Sequence, residues 1–264
     1  MNKLSIIYTN CNRIEDNICT KLWMNSLLQQ TNKNFNIIIV DSESDNIDYV
    51  KSVVDKFREN GINTNLLYVK KLDIFNKSLF LNTGAKFDKD TYNTEYFCFS
   101  DVDMIYSNDF IDTYYEHIEK TQYPNKLFGP SMRSIHYGKF NTEDIDICSD
   151  NIFKDVESNN RSIKVWRNLS GGCQCCSSEL FFSVGGYNKQ LPDYQEDTIF
   201  RKMCRGKSGR EIKWRGDRSY IYHLPHDKNE YCTKSRVESR FIYWDGKYTC
   251  TYDGFETVNI LNRY

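Results

Sequence analysis

Proline is scarce in this chain, with only 4 among the 264 residues. Linkers between domains are usually rich in Pro, Gly or Ser, and no such stretch divides this sequence. A chain of this length can bury a sizeable core as one large domain. We therefore expect a single domain over residues 1–264.

Long apolar runs are missing as well. A transmembrane helix needs about 18 or more apolar residues in a row, and the sequence contains no such run. The first apolar segment, Leu4–Tyr8, begins directly after Lys3 and is too short for the hydrophobic part of a secretory signal. We therefore predict no transmembrane segment and a cytoplasmic location.

Neither sign of charge dominates the sequence. The 35 Lys and Arg residues face 36 Asp and Glu residues, which gives a net charge of −1. Nucleic-acid-binding proteins usually show a basic excess, so we expect no nucleic-acid partner. Aromatic residues, in contrast, reach 15%. Most of them should fill the core, and a few could stack on a base or a sugar ring.

The 10 cysteines are even in number, which would suit a set of disulfides. Without a secretory signal, however, free thiols are the expected state. Cys173, Cys175 and Cys176 form a cluster that could bind a metal ion. No second Cys-x-x-Cys pair lies at the spacing of a tetrahedral zinc site, so we do not expect zinc there.

Strand and helix patterns alternate through the first half of the chain. Strands are predicted at 4–9, 35–40, 65–69 and 95–100, and helices at 17–30, 47–60 and 75–86. Repeated strand–helix units predict an α/β fold with a mostly parallel sheet and helices on both faces. Several strands end in polar or acidic residues, such as Asp41 after the second strand. This pattern predicts a binding cleft along one edge of the sheet.

The fourth strand ends in two carboxylates, Asp101 and Asp103. Burying an unpaired ion is costly, so apolar strands seldom end in this way for packing alone. Two acids at the carboxyl end of a strand suit a divalent cation, which takes hard oxygen ligands and offsets their repulsion. A solvated surface turn is the alternative interpretation, and the aromatic run before the acids favours the metal site.

The second half contains three further patterns. Gly171 and Gly172 allow either a tight turn or a close approach of the backbone to a ligand. Glu196 and Asp197 precede a predicted helix at 198–203, where capping explains one acid better than two. The acidic stretch 141–161 predicts a surface excursion.

A short apolar strand beginning at Tyr220 ends in two of the four histidines, His223 and His226. A lone histidine is usually structural. In a chain with a candidate pair of metal-binding acids, a histidine at a strand end is also a candidate third ligand.

Five motifs occur together and in order: Asp73–Gly84, Phe97–Asp103, Gly171-Gly172, Glu196-Asp197, and His223 with Asp227–Glu230. In this combination the chain resembles the metal-dependent β-1,4-galactosyltransferase group of GT-A glycosyltransferases. Chondroitin-type polymerases and polypeptide N-acetylgalactosaminyltransferases are related to that group. The resemblance implies a GT-A fold, with a nucleotide-sugar-binding half at 1–104 and an acceptor-binding, catalytic half at 105–264.

The resemblance also implies a metal and nucleotide site. Asp103 would bind Mn²⁺ (or Mg²⁺), which bridges to the diphosphate of a UDP-sugar, and Asp101 beside it would contact the ribose or the sugar. His223 would complete the metal site, with His226 as the competing choice. Phe75 would stack on the uracil.

Further donor-binding residues follow from the same resemblance. Lys77 occupies the place of an arginine that contacts the nucleotide, and Arg13 resembles the basic residue at the mouth of the same pocket. Asp41, Gly171 and Gly172 are further candidates for contact with the donor.

Catalysis is assigned to the paired acids. Asp197 would be the base and Glu196 a ligand for a sugar hydroxyl. A carboxylate that takes the proton from the acceptor hydroxyl typically contributes roughly 10²–10⁴-fold to such a step. One base and one displacement imply inversion at the anomeric carbon. We thus expect transfer of Gal, GalNAc, Glc or GlcNAc from a UDP-sugar to a hydroxyl of a glycan or glycoprotein.

Two segments depart from the galactosyltransferase pattern. Leu191–Gln195 replaces a tryptophan-glycine run that shapes the acceptor pocket, so the usual N-acetylglucosamine acceptor is in doubt. Leu169 stands where galactose-specific members carry a tyrosine beside the C2 group of the donor sugar. The smaller side chain leaves room for an N-acetyl group.

Two other functions are compatible with this layout. A sugar-phosphate nucleotidyltransferase usually has a glycine-rich loop after the first strand, and Thr9–Arg13 contains no glycine. A catalytically inactive nucleotide-sugar or glycan-binding module would not need the base Asp197.

Overall fold

The structure of the protein, a computed structural model, describes residues 2–120, 125–135, 145–159, 163–165, 171–193, 195–209, 211–213, 220–225 and 256–264. In the first half, strands and helices alternate, with bounds β1 Leu4–Asn10, α1 Ile18–Leu28, β2 Asn36–Ser42, α2 Ile47–Glu59, β3 Asn63–Val69, α3 Lys77–Thr91 and β4 Tyr96–Ser100. Strand β1 lies between β2 and β4 and is parallel to both, and β3 is parallel to β2. The predicted α/β class with a mostly parallel sheet is confirmed.

The second half contributes shorter elements, namely β5 Met104–Ile105, α4 Phe110–Lys120, β6 Phe128–Gly129, β7 Ser131–Ile135, α5 Ile152–Asn159, β8 Ile163–Val165, β9 Cys173–Ser177, α6 Ser178–Ser183, α7 Glu196–Ser208, β10 Ile212–Lys213, β11 Tyr220–His223 and β12 Ile260–Arg263. Within the described ranges the central sheet has the order β10-β6-β9-β4-β1-β2-β3-β12. A smaller sheet has the order β5-β11-β7-β8. Strand β9 runs antiparallel to β4, so its first residues lie beside the end of β4.

The central strands β1, β2 and β4 are buried along their whole length because both of their faces are covered. On one face Ile6 and Ile37 join a core cluster, and on the other Ile7 and Ile38 join a second one. A strand that is buried on both sides has no polar face, which explains the continuous apolar runs in the sequence.

Helix α3 packs unusually close to the sheet at Gly84. A Cβ atom at this position would lie 2.6 Å from Cγ2 of Ile7 and 3.2 Å from Cγ2 of Val40. Only glycine leaves room for this contact. Since α3 connects two parallel strands, its first residues, including Lys77, lie at the carboxyl edge of the sheet.

Two predicted helices have different bounds. Helix α3 begins at Lys77 rather than at residue 75, because the Asn76 side chain caps it by accepting a hydrogen bond from Leu79 N. Helix α7 begins at Glu196, so both paired acids lie in its first turn.

The prediction of a surface excursion at 141–161 is wrong for the described residues 145–159. This segment contains α5, and Ile145, Ile152 and Val156 are buried in a third core cluster. Acidic residues separate these apolar positions in the sequence, so the apolar face of α5 was not recognised from the sequence alone. Among the described residues, no helix is long and apolar enough to cross a bilayer.

Candidate active site

The loop after β4 is fixed at the edge of the sheet by the backbone of Gly172. The carbonyl oxygen of Gly172 accepts hydrogen bonds from Asp101 N at 3.1 Å and from Ser100 Oγ at 2.8 Å. A Cβ atom on Gly172 would lie 2.2 Å from Cε of Met104. Gly172 therefore allows the start of β9 to pack against the loop that carries Asp101.

The small sheet brings Asp103 and His223 together. Strand β11 pairs with β5, with His223 opposite Met104, and Leu224 N donates a hydrogen bond to Asp103 O at 2.9 Å. His223 Nε2 consequently lies 3.6 Å from Asp103 Oδ1. The competing residue His226 lies outside the described residues.

This pair of side chains fits a divalent cation. Two ligand atoms that each lie about 2.1 Å from one ion are separated by at most about 4 Å, and the separation of 3.6 Å is within that limit. A carboxylate oxygen with an imidazole nitrogen is a donor set that Mn²⁺ and related divalent ions accept. The metal-binding role itself remains a prediction.

Lys77, the first residue of α3, joins the two acidic motifs. Its Nζ lies 2.7 Å from Asp101 Oδ1 and 3.4 Å from Glu196 Oε1. Burial disfavours the charged ammonium, but the charges of Asp101, Glu196 and Asp193 outweigh burial and raise the pKa of Lys77. Lys77 therefore remains charged and connects β4 to the start of α7.

Glu196 is the more weakly paired of the two acids that Lys77 contacts. Its carboxyl is buried, with 6% of the residue exposed. Burial raises the pKa of Glu196 to about 8; Lys77 opposes this rise, and Asp197 and Asp193 add to it. A carboxyl group with this pKa carries a proton for much of the time at neutral pH, so it can donate a hydrogen bond as well as accept one.

Asp197 is held against the glycine pair. A Cβ atom on Gly171 would lie 2.4 Å from Asp197 Oδ2, so no larger residue fits there without moving the carboxylate. Gln174 Nε2 donates a hydrogen bond to Asp197 O at 3.2 Å. The N-cap of α7 is Gln195, which makes no side-chain capping bond. Neither Glu196 nor Asp197 is therefore the N-cap residue of this helix.

The ends of β1 and β2 form a separate polar cluster. The buried Asp41 carboxylate accepts hydrogen bonds from Asn10 Nδ2 at 2.6 Å and from Ser44 N at 2.9 Å. Burial raises the pKa of Asp41, and these bonds partly offset the rise. Asn10 Oδ1 also accepts from Arg13 N at 3.0 Å, which fixes the backbone of the following turn.

The charges of Arg13 and Asp103 both act on the thiol of Cys19. Burial and the charge of Asp103 raise the pKa of Cys19 to about 11, and the charge of Arg13 lowers it. Cys19 is therefore within electrostatic range of both charged side chains.

Phe75 lies just before α3 and is only 5% exposed. Its ring packs on Phe80, with the ring centroids 5.4 Å apart. The structure thus gives Phe75 a role in the core, and stacking on uracil stays a prediction. Leu169, the proposed neighbour of the donor sugar, lies outside the described residues.

Three polar residues, the N-cap Asn76 and the α3 residues Ser78 and Asn82, have roles that sequence reasoning missed. Asn76 and Ser78 donate hydrogen bonds to the backbone carbonyls of Lys189 and Leu191, at 3.1 Å and 2.9 Å. Asn82 is buried and bonds both the N–H and the carbonyl of Tyr187. These side chains fix the segment that leads to Glu196. In the sequence, the only signal for these roles is the presence of polar residues among the apolar residues of a predicted helix.

The family description "Glycosyl transferase family 2" matches residues 5–174. The chain belongs to this family. The match includes the Asp101 and Asp103 motif and the glycine pair, whereas Glu196, Asp197 and His223 lie beyond it. No curated protein matches the chain in sequence.

Several solved structures share the fold. S. aureus TarS in complex with UDP-GlcNAc has a TM-score of 0.62 and 19% identity, covering 88% of this chain and 60% of that chain. The mannosyltransferase PcManGT from Pyrobaculum calidifontis, in complex with GDP-Man and Mn²⁺, has a TM-score of 0.54 and 14% identity, covering 94% and 65%. GalNAc-T7 with UDP, GalNAc and Mn²⁺ has a TM-score of 0.60 and 13% identity, covering 92% and 48%.

These comparisons confirm the predicted GT-A fold, and at such identities they show the fold alone. The chain spans 60% of the length of the TarS chain in that complex. Together with the family match, they support a glycosyltransferase, and the membership of the β-1,4-galactosyltransferase group stays a prediction.

Proposed function

We propose that the protein is a metal-dependent, inverting glycosyltransferase. It moves a hexose or N-acetylhexosamine (Gal, GalNAc, Glc or GlcNAc) from a UDP-sugar to a hydroxyl of a glycan or glycoprotein. The observation that carries this proposal is the bridge from Asp101 through Lys77 to Glu196. It joins the loop that carries the metal-ligand candidate Asp103 to the helix start that carries the base candidate Asp197.

Asp103 and His223 are the residues that would hold Mn²⁺ or Mg²⁺. Such an ion acts as a Lewis acid and offsets the charge on the leaving diphosphate. Two of the structures with the same fold, PcManGT and GalNAc-T7, were solved with Mn²⁺, which supports this assignment. By the family resemblance, Arg13 adds positive charge at the mouth of the donor pocket, and positive groups preorganised around a leaving anion stabilise the transition state.

Lys77 orients Asp101 for contact with the ribose or the sugar. An ammonium held at 2.7 Å leaves the second carboxylate oxygen of Asp101 to accept from a donor hydroxyl. Asp41 and Phe75 contact the nucleoside of the donor, and the backbone of Gly171 and Gly172 lies against the donor sugar.

Asp197 acts as the general base. It takes the proton of the acceptor hydroxyl as that oxygen attacks the anomeric carbon on the face opposite UDP, so the configuration inverts. Glu196, beside it, binds a sugar hydroxyl, and its raised pKa lets it donate to an oxygen as well as accept. Residues 1–104 bind the donor, and residues 105–264 supply the acceptor site and the base.

The β-1,4-galactosyltransferase resemblance and the small Leu169 make UDP-GalNAc, UDP-GlcNAc and UDP-Gal the first donors to test. The experiment is thermal-shift screening of these donors and UDP-Glc, with Mn²⁺ and with EDTA. A ligand at about 100 times its dissociation constant should stabilise the protein by about 2.7 kcal/mol. We expect one donor to stabilise the protein only with Mn²⁺, and UDP release to require an acceptor.

Other outcomes separate the alternatives. Donor-dependent stabilisation without any UDP release in the presence of glycan acceptors would indicate an inactive binding module. Pyrophosphate release from UTP and a sugar phosphate would indicate a nucleotidyltransferase. Full transfer activity in EDTA would show that the metal part of the proposal is wrong.

A further inference from the structure

Three cysteine side chains meet inside the central sheet. Cys98 on β4 lies directly opposite Cys175 on β9, and the next pair on the same face is Ser100 opposite Cys173. The side chains of two residues paired across neighbouring strands project from the same face of the sheet. The same is true of residues two positions apart along one strand. The three Sγ atoms all lie within 4.8 Å of one another, and those of Cys98 and Cys173 are 3.5 Å apart.

These four side chains are shielded from solvent. Each of the three cysteines is at most 1% exposed, and Ser100 is 3% exposed. A buried thiol usually serves as a small apolar side chain, and the neighbouring Cys176 does so on the opposite face of β9 among the aromatic residues of the second core cluster. Space filling does not require three thiols to converge on one point.

We propose that Cys98, Cys173 and Cys175 bind a thiophilic divalent cation, with Zn²⁺ as the ion that fits best. Thiolates in a tetrahedral zinc site, each about 2.3 Å from the ion, lie about 3.8 Å apart. The separation of 3.5 Å between the Cys98 and Cys173 sulfur atoms is close to that value, and all three separations are within 4.8 Å. The Ser100 hydroxyl is hydrogen-bonded to the Cys173 thiol, so it is the oxygen that could serve as a fourth ligand.

Charge favours a divalent ion over a monovalent one. Three thiolates around Zn²⁺ leave one net negative charge, whereas around Cu⁺ they leave two, and a buried net charge is costly. The Ser100 hydroxyl is itself bonded to the Tyr106 hydroxyl at 2.7 Å, so polar groups border the thiols on one side. Binding releases the thiol protons, and because the site is buried we expect the ion to enter during folding.

The position gives such an ion a structural role. It would link β4 to β9 just before Asp101 and just after Gly172, where both strands reach the proposed active site. This inference does not depend on the proposed glycosyltransferase activity, because no thiol takes part in that reaction.

The test is the zinc content of the full chain after refolding with ZnCl₂ and removal of loosely bound metal. Cys175→Ala and Cys176→Ala form a matched pair, because the two residues are neighbours on β9 and each is 0% exposed. We expect about one zinc ion per chain in the wild type and in Cys176→Ala, and at least a tenfold loss in Cys175→Ala. A wild type without zinc, or an equal loss in both variants, would overturn the proposal.

A second measurement needs no variant. Wild-type protein refolded with increasing amounts of Cd²⁺ and freed of loosely bound metal should give thiolate-to-metal charge-transfer absorption that saturates at one ion with the intensity of three thiolates. Absorption from fewer thiolates would contradict the site. Zinc that is lost in Asp103→Ala and kept in Cys175→Ala would place the ion at the Asp103–His223 pair and would also overturn the inference.

Discussion

At its carboxyl end, β4 leads into two proposed oxygen ligands, Asp101 and Asp103, whereas Cys98, two residues before the end of the strand, carries a sulfur atom. The Asp101 side chain is 29% exposed, and the Asp103 side chain is 11% exposed. The thiols are fully buried. A neutral thiol can be buried at little cost, whereas a buried carboxylate needs a compensating charge, which Lys77 supplies to Asp101 and a metal ion would supply to Asp103.

The difference has a functional consequence. Ligands at the open edge can exchange an ion together with its nucleotide in each catalytic cycle, whereas ligands inside the sheet would retain an ion for the lifetime of the fold. The edge site should therefore control activity and the interior site stability.

The largest expected effect is that of Asp103→Asn. Losing a group that compensates developing charge typically costs roughly 10²–10³-fold, and weaker binding of metal and UDP adds to this, so we expect transfer to fall by more than about 10⁴-fold. Steady-state assays with Mn²⁺ measure the loss. Asp48→Asn, at a side chain that is 90% exposed, is the control. If Asp103→Asn were active, or if it lost zinc, the separation of the two sites would fail.

Asp197→Asn should remove the base and leave the donor site intact. We expect transfer to fall by roughly 10²–10⁴-fold. Calorimetry should show Mn²⁺-dependent UDP binding within twofold of the wild type. A variant that keeps full activity, or that loses UDP binding as well, would contradict the assignment of Asp197 to the acceptor step.

Gly171→Ala tests whether the close contact at 2.4 Å positions Asp197. Displacing a catalytic group by about 1 Å can cost roughly 10²-fold, so we expect kcat to fall by roughly 10- to 100-fold. Gly206→Ala is the control, because a Cβ atom there meets nothing within 4 Å and the residue lies inside α7. It should stabilise the protein by about 0.5–1 kcal/mol and leave kcat unchanged.

A kcat in Gly171→Ala equal to that of the wild type would show that Asp197 does not depend on this contact.

The smallest effect concerns pH. The pKa of Glu196 is raised from its ordinary value to about 8, so the folded state binds more protons than the unfolded state between those values. The free energy of unfolding should therefore fall as the pH rises from about 5 to about 8, by on the order of 1–3 kcal/mol. Denaturant unfolding at several pH values should show this slope in the wild type and in the exposed control Glu59→Gln, and a flatter curve in Glu196→Gln. Parallel curves for Glu196→Gln and the wild type would contradict the pKa of Glu196.

The regular part of the fold could be predicted because its signals are local. Apolar runs, caps and glycines defined β1 to β4 and α1 to α3 to within a few residues. Helix α5 was missed because its apolar residues are interspersed with acids in a short segment. In the small sheet, β11 was predicted, but β5, β7 and β8 were missed because strands of two to five residues carry almost no periodic signal.

The candidate site, too, could be predicted only where its signals are local in the sequence. The motif residues of the site were recognised from sequence, but their partners were not. These partners are distant in sequence. Examples are the ion pair of Lys77 with Asp101, the hydrogen bond from Asn82 to Tyr187, and the close contact of Gly171 with Asp197. The cysteine cluster is the clearest case. Cys176 was grouped with Cys173 by proximity in sequence, while the alternation along β9 excludes Cys176 and the pairing with β4 brings in Cys98.

The most direct test of the central claim is Mn²⁺ binding, followed by electron paramagnetic resonance of the free ion, in the presence of saturating UDP. The wild type should bind one Mn²⁺ per chain, and both Asp103→Asn and His223→Ala should weaken that binding by at least about tenfold, or about 1.4 kcal/mol. The same affinity in His223→Ala as in the wild type, or tight UDP binding by the wild type in EDTA, would contradict the claim that these two residues share the ion.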